Sequence, residues 1–214
     1  MKNVLIIGST GQIGSELTMK LRSIYTNGNI VAGYITGAEP KGELKDSGPS
    51  ALVDITNPQQ IAEAVEKYHI DTIYNLAALL SAVAEAKPQL AWKIGVGGLF
   101  NVLEVSREKG CAVFTPSSIG SFGPDTPKDK TPQDTVRNPQ TMYGVTKYAR
   151  GTCTDASLIQ VKQEYAGTET RRTSSSSFFR THVLSVSAPA LYLFLLCKSS
   201  CHAQKPLPVR ESSY

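Results

Sequence analysis

The sequence predicts an α/β protein built on a doubly wound parallel sheet with helices on both faces. Short apolar runs alternate with longer segments in which apolar residues recur at helical spacing, as in sheets whose crossover connections are helices. The first apolar run leads directly into a glycine-rich turn. The chain has 214 residues, of which 41% are hydrophobic and 19% are charged, so it can bury a globular core.

The first unit is a strand, a glycine turn and a helix. Residues 4–7 form an apolar run typical of a strand buried on both faces. Glycines stand at positions 8, 11 and 14, and Ile13, Leu17 and Leu21 then repeat at helical spacing. Glycine lets a backbone approach a pyrophosphate closely, while the N-terminus of the helix supplies N–H donors. The unit predicts a dinucleotide site, with an ordinary strand-to-helix turn as the alternative.

The remaining elements continue the alternation. We expect strands at residues 30–35, 51–53, 72–76 and 112–115, and helices at residues 58–68 and 90–109. Such units form an open sheet with right-handed crossovers, the Rossmann-type arrangement. Ligands of these sheets bind beyond the carboxyl ends of the strands, where Gly8, Asp54, Ala77 and Ser117 all fall.

The residues after the second and third strands bear on the adenosine of a dinucleotide. Asp54 can accept a hydrogen bond from the adenine amino group while the amide of Ile55 contacts the ring, but an N-cap of the next helix suits Asp54 equally well. Tyr34 occupies the turn where NAD enzymes of this fold carry Asp or Glu for the ribose hydroxyls. A phenol cannot replace a bidentate carboxylate. No Arg lies beside Tyr34, so a preference for NADP is not indicated either. We therefore expect weakened NAD affinity.

A serine pair at the end of the fifth strand, together with a later tyrosine and lysine, forms a candidate active site. Tyr143 and Lys147 are four residues apart and so lie on one face of a helix. There the ammonium group stabilises a phenolate, which makes Tyr143 a candidate general base near neutral pH. Ser117 and Ser118 end the strand, and a hydroxyl at that place can hold the substrate oxygen while Tyr143 removes its proton.

These motifs together resemble the extended short-chain dehydrogenase/reductase family, the NAD-dependent epimerases and dehydratases. The resemblance covers residues 1–147, and the blocks at residues 75–85, 116–124 and 142–147 are similar to its L-threonine 3-dehydrogenase subfamily. It implies NAD as the cofactor and the oxidation of L-threonine, the small-molecule substrate, to 2-amino-3-oxobutanoate. A UDP-sugar epimerase or dehydratase is the competing enzyme.

The resemblance also implies a role for each site residue. Ser118, Tyr143 and Lys147 are the catalytic residues, and Ser81, Ser118 and Tyr143 contact the substrate. The predicted cofactor-binding residues are Gly8, Gly11, Gln12, Ile13, Gly14, Asp54, Ile55, Leu76, Ala77, Ala78, Tyr143 and Lys147. A homodimer through the helices at residues 90–109 and 143–147 is implied as well. Leu99, Val102 and Leu103 suit that interface or an ordinary core equally well.

Residues 148–214 differ in character from residues 1–147. The first segment contains 14 Lys and Arg and 14 Asp and Glu, whereas the second contains 8 and 4 and so carries the whole net charge of +4. It contains a run of four serines at residues 174–177 and no sustained helical or strand period. The family's sixth strand and C-terminal substrate domain are not recognisable there.

We interpret this second segment as a frameshifted or truncated reading, with a degenerate gene or a genuine alternative tail as the alternatives. We expect it to be poorly ordered, the sixth strand and the substrate domain to be missing, and dehydrogenase activity to be negligible. A different hypothesis is a non-catalytic NAD-binding protein whose tail recruits a partner.

Composition argues against several other classes. Because the positive charge lies only in the second segment, it does not indicate nucleic-acid binding. The longest apolar run, residues 182–197, is interrupted and shorter than the roughly 20 residues of a membrane helix. Four cysteines without metal-ligand spacing predict neither a metal site nor disulfides. With no targeting sequence before the glycine turn, we expect a cytoplasmic protein.

Overall fold

One parallel sheet of six strands organises the chain. The computed structural model describes residues 2–132 and 134–152, together with the backbone of residues 184–186. The strands lie in the order β3-β2-β1-β4-β5-β6, and every neighbouring pair is parallel. They are β1 Val4–Ile7, β2 Ile30–Tyr34, β3 Ser50–Leu52, β4 Thr72–Asn75, β5 Ala112–Pro116 and β6 Leu184–Val186. This confirms the predicted Rossmann-type sheet.

The strand order reverses next to β1. The chain builds outward from β1 to β2 and β3, then returns to place β4 on the other side of β1, so that Ile7 pairs with both Gly33 and Asn75. In open α/β sheets this switch point leaves a crevice at the carboxyl ends of the strands, and that crevice receives the ligand. The sheet therefore places the glycine turn after β1 at the ligand edge.

The helices connect the strands and continue past the fifth one. They are α1 Gln12–Ile24, α2 Glu43–Asp46, α3 Pro58–Lys67, α4 Ser81–Ala86, α5 Pro88–Trp92, α6 Gly98–Lys109, and α7 at residues 142–152. The sequence did not predict the short helices α2 and α4. The predicted helix at residues 90–109 is α5 and α6 joined by a π-helical stretch, Lys93–Gly97.

The core has one apolar cluster on each face of the sheet. Along β1, Leu5 and Ile7 belong to the larger cluster with α3 and α6, whereas Val4 and Ile6 pack with α1. Strand residues point alternately to the two faces, so these two sets lie on opposite sides. Within this apolar framework Leu99, Val102 and Leu103 are buried in the larger cluster. The structure therefore assigns these three residues to the core.

Two features beyond residue 147 differ from the sequence expectation. The expected absence of a sixth strand was wrong, because Leu184–Val186 pairs in parallel with Phe114, Thr115 and Pro116. Three residues are too short a run to stand out by periodicity in an irregular segment. In addition, α7 continues through residue 152 and buries Arg150. The predicted disorder of residues 153–183 and 187–214 lies outside the described residues.

Candidate functional site

The turn between β1 and α1 has the geometry that a phosphate-binding loop requires. Gly8 adopts φ +83°, a left-handed conformation that favours glycine. At Gly14 an added Cβ would lie 2.1 Å from the Gly8 carbonyl oxygen, so only glycine lets α1 start this close to the loop. The hydroxyl of Ser9 is buried and donates to the Gly33 carbonyl at 2.9 Å, which ties the loop to β2. The loop is thus held in one conformation at the N-terminus of a helix.

A cavity of about 410 Å³ opens beside this turn at the carboxyl ends of the strands. Ligand pockets in proteins are typically of this size or somewhat larger. Its walls include seven of the predicted cofactor-binding residues, namely Gly8, Gly11, Asp54, Ile55, Leu76, Ala77 and Ala78. Gln12, Ile13 and Gly14 begin α1 and do not line this cavity, and Ile13 is half exposed.

Asp54 lies in the wall of this cavity, and its alternative interpretation as a helix N-cap was wrong. The cap of α3 is Asn57, whose Oδ1 accepts hydrogen bonds from Gln59 N at 3.1 Å and Gln60 N at 3.4 Å. The Oδ1 of Asp54 instead accepts from the amide and hydroxyl of Thr56, at 2.8 and 2.9 Å. The carboxylate is therefore held locally at the cavity wall.

The three predicted catalytic residues meet next to the end of β5. Lys147 is buried, and its Nζ donates to the Pro116 carbonyl at 3.2 Å and lies 5.6 Å from the centroid of the Tyr143 ring. Ser118 caps a short 3-10 turn by accepting from Gly120 N at 3.2 Å. A Cβ placed on Gly120 would lie 3.1 Å from Tyr143 Cδ1 and 3.5 Å from Ser118 Oγ. Ser118 and Tyr143 therefore flank the same glycine.

Burial controls the charge of Lys147. Loss of solvent lowers the pKa of its amine from 10.5 to about 7, and the nearby positive charge of Arg150 contributes in the same direction. The amine therefore exchanges its proton near neutral pH. In its charged form the amine places a positive charge next to the Tyr143 ring.

Comparison with known proteins decides the family. The family model for the NAD-dependent epimerases and dehydratases matches residues 4–168. The chain belongs to the NAD-dependent epimerase/dehydratase family. It is therefore an enzyme by family, and its cofactor is NAD. The match extends beyond residue 147, where the sequence resemblance was taken to end, and includes all of α7.

The individual relatives include proteins named only as epimerase/dehydratase and proteins named as L-threonine dehydrogenases. An uncharacterized epimerase/dehydratase of Staphylococcus saprophyticus is 49% identical over 149 residues, which are 70% of this chain and 46% of that protein. The structure of L-threonine dehydrogenase from Clostridium difficile is 46% identical with a TM-score of 0.68, over 73% of this chain and 49% of that one. A monomeric L-threonine 3-dehydrogenase from a metagenome is 34% identical with a TM-score of 0.69, over 74% and 50%. The chain spans about half the length of these relatives.

Tyr34 gives a testable prediction for an NAD-dependent family member. It ends β2 and lines the cavity without a carboxylate for the ribose hydroxyls. Replacing Tyr34 by Asp is expected to lower the dissociation constant for NAD about tenfold, since hydrogen bonds to charged groups contribute about 1.5–3 kcal/mol. Titration calorimetry with NAD measures this, with NADP as the ligand control and Tyr25→Asp as the matched variant. Equal tightening for NADP, whose 2′-phosphate an aspartate repels, would contradict the assignment.

The lowered pKa of the Lys147 amine predicts how the free energy of unfolding depends on pH. The folded state releases the proton of this amine near pH 7 and the unfolded chain near pH 10.5, so between these values the unfolded chain binds more protons. The free energy of unfolding should therefore rise with pH in this window, by at most about 1.4 kcal/mol per pH unit from this group. Urea denaturation of the wild type and Lys147→Met, at about pH 7 to about pH 9, isolates the effect. A constant difference between the two proteins across this range would exclude the lowered pKa.

Arg150 is a buried site residue that the sequence analysis missed. Its guanidinium donates to the Ala77 carbonyl at 2.9 Å, to the Asn75 carbonyl at 3.4 Å and to Thr115 Oγ1. Burial lowers its pKa to about 10. These bonds join α7 to the carboxyl ends of β4 and β5. Its position three residues after Lys147, on the same helix face, was a signal that could have identified it.

Ser81 is the first residue of α4 and is exposed. It does not line the cavity described above, so its role towards a substrate stays a prediction. Within residues 2–132 and 134–152, no cluster of three or more His, Cys, Asp or Glu could hold a metal ion. In the part of the chain that the structure describes, no helix is long and apolar enough to span a membrane.

Proposed function

We propose that this site oxidises the 3-hydroxyl group of L-threonine with NAD and yields 2-amino-3-oxobutanoate. The observation that carries the proposal is the convergence of Ser118 and Tyr143 on Gly120, with the Lys147 amine 5.6 Å from the tyrosine ring. The glycine turn supports the cofactor, since the left-handed conformation of Gly8 and the close contact of Gly14 with the Gly8 carbonyl hold a phosphate-type loop at the start of α1. The 46% identity to L-threonine dehydrogenase of Clostridium difficile supports the substrate.

Each residue then has one task in the reaction. The Ser118 hydroxyl donates to the substrate oxygen and orients it. Tyr143 takes the proton of that hydroxyl group as its C3–H bond breaks. Lys147, next to the ring, stabilises the negative charge that this leaves on the tyrosine. When bound, NAD supplies the hydride acceptor.

We also propose that this reaction is slow in the chain as it stands. The family's sequence pattern is not recognisable after residue 168, so we infer that the substrate contacts which this pattern provides are lacking. An incomplete pocket neither orients threonine nor excludes water. Turnover is therefore expected below the range of about 1–1000 per second that is usual for enzymes.

A single-turnover assay tests the function even when turnover is slow. Purified protein in excess over NAD is mixed with L-threonine, and NADH absorbance is followed until it stops changing. We expect NADH to form with L-threonine but not with D-threonine or UDP-galactose, and to form about 10²–10⁴ times more slowly in Tyr143→Phe. Failure of L-threonine to give NADH in a sample that binds NAD would exclude the proposal.

Two other functions remain as competitors. The name of the Staphylococcus saprophyticus relative favours an epimerase or dehydratase, and the sequence resemblance suggests a UDP-sugar as its substrate. Because these reactions return the hydride to the sugar, conversion of a UDP-sugar to its epimer or dehydrated product without net NADH would indicate this function. A non-catalytic NAD-binding protein with a partner-binding tail is the second. Binding of NAD by residues 1–152 and of a partner only by the whole chain would support it.

We further infer a homodimer through the helices of the C-terminal half of the described region. The side chains of Leu90, Trp92, Phe100 and Tyr148 are each about 40–50% exposed, and all lie on α5, α6 or α7. Apolar side chains grouped in this way are typical of an interface. Sedimentation velocity of the purified chain measures its mass, and a monomer at micromolar concentration would contradict the inference.

A further inference from the structure

The first three N–H groups of the helix that carries Tyr143 are each bonded to a side-chain oxygen. An α-helix leaves its first four N–H groups without partners inside the helix. In α7, Gly144 N donates to Thr141 Oγ1 at 3.0 Å and Val145 N donates to the Thr141 carbonyl at 2.8 Å. Thr141, the residue before the helix, thus caps Gly144 N with its side chain, while its carbonyl accepts the first regular bond of the helix. Local capping leaves the first two N–H groups unbonded.

Glu85 supplies the missing acceptor from a distant part of the chain. Its Oε1 accepts from Met142 N at 2.6 Å and from Tyr143 N at 3.4 Å, across 57 and 58 residues of sequence. A carboxylate at this end of a helix also interacts favourably with the positive end of the helix dipole. Glu85 therefore bonds the backbone of the predicted general base itself.

The carboxylate is held by α4, whose own position is fixed. Ala84, the neighbour of Glu85, is buried with only 1% of its surface exposed. Ser81, predicted to contact the substrate, lies one helical turn before Glu85 and so on the same face of α4. Glu85 consequently connects the helix that starts at Ser81 to the helix that starts at Met142.

Tyr143 is therefore held at both ends. Its backbone N–H is bonded to Glu85, while its ring packs against Gly120, which is also next to the Ser118 hydroxyl. Helix ends fray when their N–H groups lose their acceptors, and Tyr143 lies in the first turn of α7. Loss of the Glu85 acceptor would let that turn open and the phenol shift from its place beside Ser118.

We propose that Glu85 is a positioning residue that fixes the first turn of α7 and, through it, the phenol of Tyr143. Its effect on the reaction rests on the proposed function, whereas its effect on the helix does not. The role requires the acceptor oxygen of the side chain. Glutamine keeps that oxygen at the same distance from the backbone, and alanine removes it.

The test compares Glu85→Ala with Glu85→Gln, and uses Glu104→Ala as the control. Glu104 is also exposed and lies on α6, where it pairs with Arg107. Amide hydrogen exchange at Met142 and Tyr143 should speed up about tenfold in Glu85→Ala and remain within about threefold of wild type in the other two variants. This readout requires no activity.

The second readout separates positioning from simple helix capping. In single turnover, Glu85→Ala should transfer hydride about tenfold more slowly with an unchanged dissociation constant for NAD, and Glu85→Gln should restore the rate. Unchanged exchange in Glu85→Ala would overturn the proposal outright. Faster exchange with an unchanged rate, or an equal loss in Glu104→Ala, would overturn the positioning role.

A third readout covers the case in which the wild type turns over no substrate, which would refute the proposed function alone. The protein is labelled with 3-fluorotyrosine, and the Tyr143 resonance is assigned by its loss in Tyr143→Phe. Among the signals of the nine tyrosines, we expect the Tyr143 resonance to be the same in the wild type and Glu85→Gln, and to be shifted or broadened in Glu85→Ala. An identical resonance in all three proteins would overturn the positioning role without any assay.

Discussion

Replacing Tyr143 by phenylalanine is expected to slow hydride transfer to NAD by a factor of about 10²–10⁴, the usual contribution of a general base. Phenylalanine keeps the ring that packs against Gly120 and removes only the hydroxyl group that accepts the substrate proton. The dissociation constant for NAD should therefore remain within about twofold of the wild type. Single-turnover kinetics and calorimetry measure the two quantities on the same sample.

The matched control for this substitution is Tyr148→Phe. Tyr148 lies on the same helix, is 42% exposed, and has no assigned part in the chemistry. It should transfer hydride at the wild-type rate. A Tyr143→Phe protein that keeps more than about a tenth of the wild-type rate would show that the proton goes to another group.

Replacing Gly14 by alanine is expected to have the largest effect on structure. The added Cβ would lie 2.1 Å from the Gly8 carbonyl oxygen and 2.8 Å from Ser9 Cα, both of them backbone atoms that cannot rotate away. The start of α1 or the glycine loop must therefore move, at a cost of about 1–3 kcal/mol or more in the free energy of unfolding. NAD affinity should fall about a hundredfold or more, since the phosphate loop is displaced.

Gly28→Ala is the control for the loss of a glycine as such. Nothing lies within 4 Å of a Cβ placed on Gly28, so the substitution should leave stability and NAD binding nearly unchanged. Urea denaturation and calorimetry of both variants give the comparison. A Gly14→Ala protein that binds NAD like Gly28→Ala would mean that the loop does not hold the cofactor.

The order of strands and the place of the ligand edge could be predicted because both depend on local pattern. An apolar run such as Val4–Ile7 is typical of a strand buried on both faces, and the glycine spacing after it indicates the turn. Tyr143 and Lys147 were likewise predicted together, since helical spacing alone puts them on one face. The structure brings these two residues and Ser118 to the same end of the sheet.

Contacts between distant segments could not be predicted from pattern. Glu85 meets the start of α7 across 57 residues, and Arg150 reaches carbonyls on β4 across more than 70. No neighbour in sequence marks Glu85, and only the helical spacing from Lys147 marks Arg150. The competition between Asp54 and Asn57 for the cap of α3 was also undecidable without coordinates, because both residues are good caps that stand close before the helix.

The transfer of deuterium from L-threonine to NAD tests the central claim most directly. L-threonine carrying deuterium at C3 is incubated with the whole chain and NAD, and the mass of the NADH formed is measured by mass spectrometry. The proposed reaction predicts NADH that carries one deuterium from the substrate and that forms about 10²–10⁴ times faster in the wild type than in Tyr143→Phe. NADH without deuterium, or NADH that forms only with a UDP-sugar, would contradict the assignment of this site to L-threonine oxidation.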